Sequence, residues 1–123
     1  MFQQLFSATS ESAKLAAALA HPGAAALFGL PAVGRAQVYA AVVEPLCIVT
    51  PGEVEATRFA ADLNTLGIPA AVFPSRDYVL RPIEDTSREY EYRRLGVLGD
   101  LVGGRLQAVC VPCEGLTQYT MPP

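Results

Sequence analysis

Basic charge is scarce in this sequence. Nine Lys and Arg residues face 12 Asp and Glu residues, the net charge is −3 at pH 7, and Lys14 is the single lysine. A protein that binds nucleic acid through the phosphate groups needs Lys and Arg clustered in a stripe or patch on its surface. Because no such stripe is present, we expect no direct nucleic-acid grip from this chain.

Long hydrophobic runs are also missing. The run Leu15–Ala20 stops at His21-Pro22-Gly23, and the N-terminus has neither the basic start nor the apolar length of a signal peptide. The three cysteines are an odd count in a small chain, which favours a reducing compartment. We therefore predict a cytoplasmic protein with no membrane segment.

Residues for metal or nucleophilic chemistry are few and scattered. Cys110-Val-Pro-Cys113 has the spacing of a redox C-x-P-C box, but it ends the last predicted strand and no long helix follows to lower a thiol pKa. Cys47 and His21 stand in unrelated contexts, so we predict no zinc site. Cys47 and Cys110 are typical of small core residues, and His21 of a turn residue. A thiol oxidoreductase that uses Cys110 and Cys113 remains a less favoured alternative.

The remaining composition is that of a globular domain. With 123 residues, 51% hydrophobic and 17% charged, residues 1–123 fit a single domain with a core of its own. Apolar runs, caps and breakers predict helices at Ser10–Ala20, Gly34–Val43, from the capping box Thr50–Glu53 to Gly67, Ser87–Val102, and a turn at Glu114–Tyr119. Strands are predicted at Ala24–Leu30, Leu46–Val49, Ala70–Phe73 and Leu106–Val111.

Helical spacing also predicts which side chains are buried. We expect two stripes to face the sheet, made by Val54, Phe59, Leu63 and Leu66 in one helix and by Tyr92, Leu95 and Val102 in another. Gly96 and Gly99 each cost a helix about 1 kcal/mol relative to alanine, which suggests close packing. The cluster of Arg88, Glu89, Glu91, Arg93 and Arg94 is typical of a solvated face.

Strands and helices alternate along the chain. This alternation predicts an α/β fold with three α/β/α layers and a mostly parallel sheet of about four strands, similar to half a lobe of a P-loop NTPase or helicase. The segment from Ala24 to Val43 has the layout of a phosphate-binding loop between a strand and a helix.

The chemistry of that loop is incomplete. Gly29 and Gly34 keep the G-x-x-x-x-G spacing, but Arg35 stands at the lysine position and Ala36 at the hydroxyl position. Alanine cannot bind Mg²⁺, and Pro31 removes one backbone donor. We interpret Gly29, Gly34, Arg35 and Ala36 as vestigial positions without a functional cofactor. A turn that merely needs small residues and a small anion-binding domain with a working variant loop are the alternatives.

A set of segments taken in chain order carries a resemblance to a known family. These segments are Gly29–Ala36, Pro45–Thr50, Glu55-Ala56, Phe59–Leu63, Val72–Tyr78, Ser87–Glu89, Arg94-Leu95, Leu98, Ala108–Pro112 and Met121–Pro123. Together they resemble the N-terminal UvrB-like module of bacterial transcription-repair coupling factors. The resemblance covers residues from about 10 to the end. A UvrB protein proper would keep the lysine and the hydroxyl, so Arg35 and Ala36 favour the coupling factor.

The resemblance implies a function for a longer protein. Such a coupling factor uses ATP and Mg²⁺ in a separate translocase motor, displaces stalled RNA polymerase and recruits UvrA for nucleotide excision repair. This chain would be a fragment without catalytic residues, which supports UvrA recruitment and packs against other domains. We further expect an exposed apolar edge or face and self-association through it.

Overall fold

The computed structural model describes residues 10–19, 21–24, 26–40, 45–76 and 89–120. The chain divides into two compact units, residues 1–44 and residues 45–123. The first carries the segment that resembles a phosphate loop. The second contains the sheet.

The first unit contains two helices, α1 at Ser10–Leu19 and α2 at Ala32–Ala40. The predicted helix at Ser10–Ala20 is confirmed as α1, although Ala20 lies outside the described residues. Helix α2 begins two residues earlier than predicted, and the Pro31 carbonyl accepts the Arg35 N–H at 3.1 Å. Proline suits the start of a helix because its missing N–H would have no intrahelical partner. Gly34 therefore lies inside the first turn of α2.

The strand predicted at Ala24–Leu30 is wrong. Its described residues, 24 and 26–30, are irregular, and Phe28 is 89% exposed. Gly29 has φ +79°, a conformation that turns the backbone away from an extended course. A short apolar run specifies neither helix nor strand by itself, and a strand needs a neighbour to pair with.

The second unit is a small parallel α/β fold. Its elements are β1 (Leu46–Thr50), α3 (Glu53–Thr65), β2 (Ala70–Val72), α4 (Glu89–Val102), β3 (Ala108–Pro112) and α5 (Cys113–Thr117). The strand order is β1-β3-β2, with both pairs parallel, and every residue of β3 is buried. Right-handed crossovers place α3 and α4 on opposite faces of such a sheet.

The parallel α/β prediction is thereby confirmed, but the four-stranded half-lobe is not. The sheet of the described residues has three strands, because the first predicted strand does not join it. The other three predicted strands appear within two residues of their expected bounds. The predicted last turn is confirmed as α5.

Helix α3 differs from the prediction at its start. Its N-cap is Gly52, which makes no side-chain capping bond, and the hydroxyl of Thr50 donates to the Gly52 carbonyl at 2.8 Å. The capping box predicted on Thr50 is therefore wrong, because Thr50 is still the last residue of β1. The second predicted box, at Thr86–Glu89, begins outside the described residues.

The buried faces of both long helices also differ from the expected stripes. In α3 the predicted Leu63 is fully buried, but the other buried residues are Ala56 and Ala60, and the predicted Val54 is 60% exposed. In α4, Tyr92 and Val102 are exposed, and Val97, Leu98 and Leu101 pack against Phe73, Val109 and Val111. Small residues on α3 let this helix approach the sheet closely, which an apolar-size argument does not capture.

The glycines within α4 and the glycines just after it differ in how they compare with the predictions. Gly96 and Gly99 are exposed, and a Cβ at either position would meet nothing within 4 Å, so the predicted close packing is wrong. The predicted end of this helix at Val102 is confirmed, and Gly103-Gly104 follows it. There Gly104 adopts φ +68°, and its N–H donates to the Leu101 carbonyl.

Candidate functional site

The most unusual side chain of the second unit is the buried Arg94 of α4. Its side chain is 3% exposed, although Lys and Arg are rarely buried without partners. The sequence predicted a solvated position, and for Arg94 that prediction is wrong. Arg94 lies three, four and seven residues before Val97, Leu98 and Leu101, so it belongs to the stripe of α4 that faces the sheet.

Each guanidinium nitrogen of Arg94 donates to the protein. Nη1 donates to the Pro74 carbonyl at 2.7 Å, and Nη2 donates to the carbonyls of Gly115 and Gln118 at 3.1 and 3.2 Å. Nε and Nη2 both donate to the Thr120 hydroxyl, at 3.0 and 2.6 Å. These bonds join α4 to the segment after β2 and to the segment that contains α5. We call Arg94 and these four acceptor residues the Arg94 cluster.

Two further contacts extend the Arg94 cluster. The guanidinium carbon lies 4.0 Å from the centroid of the Phe73 ring, which is a cation–π contact. The side-chain amide of Gln118 accepts from the Arg76 N–H and donates to the Arg76 carbonyl at 2.8 Å. Gln118 thus bonds to the backbone at Arg76 as a neighbouring strand would.

The chemistry of the Arg94 cluster is structural. An arginine has five N–H donors, and here all three nitrogens already donate to buried or half-buried acceptors. Among the described residues these acceptors are neutral carbonyls, an amide and a hydroxyl. Arg94 therefore orders the connections at one end of the sheet rather than presenting free donors to a ligand.

The four positions that the sequence analysis interprets as a vestigial phosphate loop lie together at the start of α2, but they do not form a cradle of the expected kind. Ala36 is fully buried, whereas Arg35 is exposed and its Nε donates to the Leu30 carbonyl at 3.3 Å. Gly29 lies in the turn before the helix, and Gly34 lies within it, beside the Pro31 ring. A phosphate loop needs a strand before the turn and the helix N-terminus beyond the second glycine.

The cysteines occupy three different environments and are all free thiols. Cys110 is fully buried in β3, and burial, with a smaller effect of Cys47, raises its pKa to about 11. Cys113 is exposed, and its thiol donates to the Pro51 carbonyl at 3.3 Å. Redox cysteines need a lowered pKa, so the raised pKa of Cys110 weakens the oxidoreductase alternative. Cys47 is exposed, contrary to its predicted place in the core.

His21 lies two residues beyond the end of α1. Its Nδ1 is 3.0 Å from the Ala17 carbonyl, which is a contact typical of a histidine at a helix end. No group of three or more His, Cys, Asp or Glu side chains in the described part of the chain could bind a metal ion.

Ligands of parallel α/β proteins commonly bind at the carboxyl ends of the strands. At this edge the Ser75 hydroxyl donates to Glu53 Oε2 at 3.3 Å, and Cys113 contacts Pro51 as described above. The acidic side chains Glu53 and Glu55 lie in the first turn of α3, next to this edge. They oppose the binding of an anion at the N-terminus of α3.

The second unit also has an exposed apolar groove of about 270 Å³ on the α4 side of the sheet. Its walls are all apolar or thiol side chains, namely Pro45, Leu46, Cys47, Phe73, Val97, Leu98, Leu101, Val109, Val111 and Leu116. Val49 on the same strand is 53% exposed. The apolar surface expected from the sequence is therefore present, along strand β1.

No helix among the described residues combines the length and the apolar character that a membrane crossing requires. The fold and the Arg94 cluster define a small parallel α/β module with a structural arginine at one end of its sheet. Comparisons with family models, with curated proteins and with solved structures found no match to this chain.

Proposed function

We propose that this chain is a non-catalytic scaffold module from the UvrB-like N-terminus of a bacterial transcription-repair coupling factor. In that role it acts in the cytoplasm and supports UvrA recruitment within a longer protein. It also restrains the ATP-driven motor that displaces stalled RNA polymerase. ATP and Mg²⁺ are then cofactors of the motor, and this module binds neither.

The proposal rests on the side chains at positions 35 and 36 of the segment Gly29–Ala36. In an ATP-using relative, the residue at position 36 would offer a hydroxyl to Mg²⁺ and the residue at position 35 an ammonium to the phosphates. Here the side chain at 36 is a buried methyl group, and the guanidinium at 35 contacts a backbone carbonyl of its own loop. This supports a module that kept a helix at this place and lost the nucleotide chemistry.

The Arg94 cluster supports a scaffold role from the other unit. It joins α4, the segment after β2 and the residues up to Thr120 through charge-assisted hydrogen bonds. Such bonds give the end of the described chain a fixed position relative to the sheet. A module that carries a further domain beyond this point needs a rigid connection of this kind.

Titration of ATP·Mg²⁺ into the purified chain by calorimetry tests the non-catalytic part of the proposal. We expect no binding at micromolar ATP. Micromolar binding would instead support the rival function, a small nucleotide- or phosphate-binding α/β domain that uses Gly29–Arg35 as a working anion site.

The reading frame downstream of Pro123 tests the family part separately. We expect it to encode a translocase motor with intact nucleotide-binding motifs. A frame without such a motor would overturn the coupling-factor proposal, whatever the calorimetry gives.

A further inference from the structure

The two outer edges of the sheet differ in how their backbone groups are satisfied. In β2, Ala70 directs its N–H and carbonyl away from β3, because Pro69 and Phe73 make the bonds to β3. The side-chain amide of Asn64 bonds to both of these Ala70 groups, at 3.1 and 2.9 Å. Asn64 thus bonds to the outward backbone groups of Ala70 as a neighbouring strand would.

Among the described residues of the second unit, no side chain covers the outer edge of β1 in this way. Leu46 donates its N–H to the Gln107 carbonyl of the segment that leads into β3, so Leu46, Ile48 and Thr50 direct their backbone groups toward β3. Cys47 and Val49 then direct their N–H and carbonyl groups outward. Among the described residues, no hydrogen bond reaches these four groups.

The side chains of β1 also lack the features that protect exposed edges. Natural edge strands carry lysine, proline or bulges that prevent pairing with another chain. The strand Leu46-Cys-Ile-Val-Thr50 has no charge and no proline within it, and the Cys47 and Val49 side chains are exposed. Pro45 and Pro51 lie just outside its ends and lack an N–H, so a partner strand can pair only with the five residues between them.

We propose that β1 pairs with β1 of a second copy of this chain, antiparallel about a two-fold axis at Ile48. In this register Cys47 lies opposite Val49 of the other copy, and Val49 opposite its Cys47. Both are hydrogen-bonded pairs, so the four outward backbone groups of each copy are satisfied at once. The geometry is self-complementary, as a two-fold interface requires, and it joins two three-stranded sheets into one of six strands.

The side chains of β1 are compatible with a second copy of this chain as the partner. Cys47 and Val49 lie on the same face, because they are two residues apart in a strand, and Cys47 lines the apolar groove. The cross-strand pairs would be Cys47 with Val49 on both sides of the axis, without any like-charge contact. The interface is short, so the dimer is expected to be weak and to depend on concentration. This inference goes beyond the proposed function and does not depend on it.

Sedimentation velocity of the full chain over a range of micromolar concentrations is the first test. We expect a monomer–dimer equilibrium, with a dissociation constant that V49K raises at least about tenfold, because a lysine on the edge opposes pairing. V54K is the matched control, since Val54 is also exposed at 60% but lies on α3. A strict monomer, or equal effects of V49K and V54K, would overturn the proposal. Far-UV circular dichroism verifies that both variants are folded.

Cross-linking gives a second test that does not rely on a disruptive change. In the proposed register, the Cα atoms of Cys47 and of residue 49 of the other copy are about 5.5 Å apart, within reach of a disulfide. The variant V49C/C113S should therefore form a Cys47-to-49 disulfide between copies on mild oxidation, and V54C/C113S should not. Peptide mapping identifies the linked positions. Equal cross-linking of both variants, or none in V49C/C113S, would contradict the register.

Discussion

Removal of the Arg94 guanidinium is the most direct test of how the second unit is held together. R94M keeps an unbranched apolar side chain of similar reach and deletes every donor. The carbonyls of Pro74 and Gly115 belong to buried residues and would lose their partner. An unsatisfied buried acceptor costs about 1–3 kcal/mol.

The expected change in the free energy of unfolding follows from opposing effects. Two lost acceptors cost about 2–6 kcal/mol, and the lost cation–π contact with Phe73 adds about 1–2 kcal/mol. Methionine also removes the cost of burying a charge, which offsets part of this sum. We expect a net loss of about 3 kcal/mol, a large fraction of the 5–15 kcal/mol that is typical of a domain.

Urea denaturation followed by far-UV circular dichroism measures this loss. A change of 3 kcal/mol lowers the midpoint by about 1.5 M if the slope is about 2 kcal/mol per M. R94K keeps the charge but offers fewer donors and no planar fork, so its expected loss is about half as large. R93M is the matched control, because Arg93 is the exposed neighbour of Arg94 on the same helix.

A comparison of the stabilities of these variants decides whether Arg94 has the proposed structural role. R93M should stay within about 0.5 kcal/mol of the unchanged chain, as surface substitutions do. Faster hydrogen exchange of residues 115–120 in R94M should accompany the loss, because Arg94 bonds to this segment. If R94M were as stable as R93M, the structural role of Arg94 would be refuted.

Three further outcomes are expected. N64A should lower the free energy of unfolding by about 1 kcal/mol in the same urea assay, because it removes two solvent-exposed hydrogen bonds to the backbone of Ala70; a neutral effect would refute the contribution of Asn64 to this edge. The pKa of the Cys110 thiol is raised from 9.0 to about 11. The thiol therefore loses its proton in the unfolded state at a lower pH than in the folded state, so the free energy of unfolding should fall between about pH 9 and 11. The fall should be smaller in C110A, and an equal pH dependence of the two chains would count against the buried thiol. R35K/A36T should gain no ATPase activity in a phosphate-release assay, because the described residues just before the loop, 24 and 26–30, form no strand; turnover would disprove the proposed loss.

Much of the second unit could be predicted from sequence because its signals are local. Three apolar runs with a proline or glycine near their ends became β1, β2 and β3, and Gly67 and Gly104 ended helices with positive φ. These features depend on backbone chemistry within a few residues, so tertiary context changes them little. The parallel arrangement followed from the alternation of strands and helices.

The expected phosphate loop shows where such local signals are insufficient. The run Ala24–Leu30 is as apolar as the true strands, but its described residues lack a ladder partner and are irregular. Whether an apolar run becomes a strand depends on a neighbouring strand, and that neighbour is set by the rest of the fold. The glycine spacing alone therefore did not establish the geometry of a nucleotide site.

The amino-acid sequence by itself determined the order of the strands and helices in the second unit and their parallel α/β class, and it places arginine and alanine at positions 35 and 36. The tertiary structure decided which face of each helix is buried, and hence that Arg94 lies in the interior while Tyr92 and Val102 do not. It also decided that Asn64 bonds to the outward backbone groups of Ala70, while those of Cys47 and Val49 have no such partner among the described residues of the second unit. The Arg94 contacts join residues 20 to 26 positions apart, and Cys113 contacts Pro51 across 62 positions, whereas Asn64 and Ala70 are six positions apart. A periodic pattern reports only on neighbours along one helix or strand.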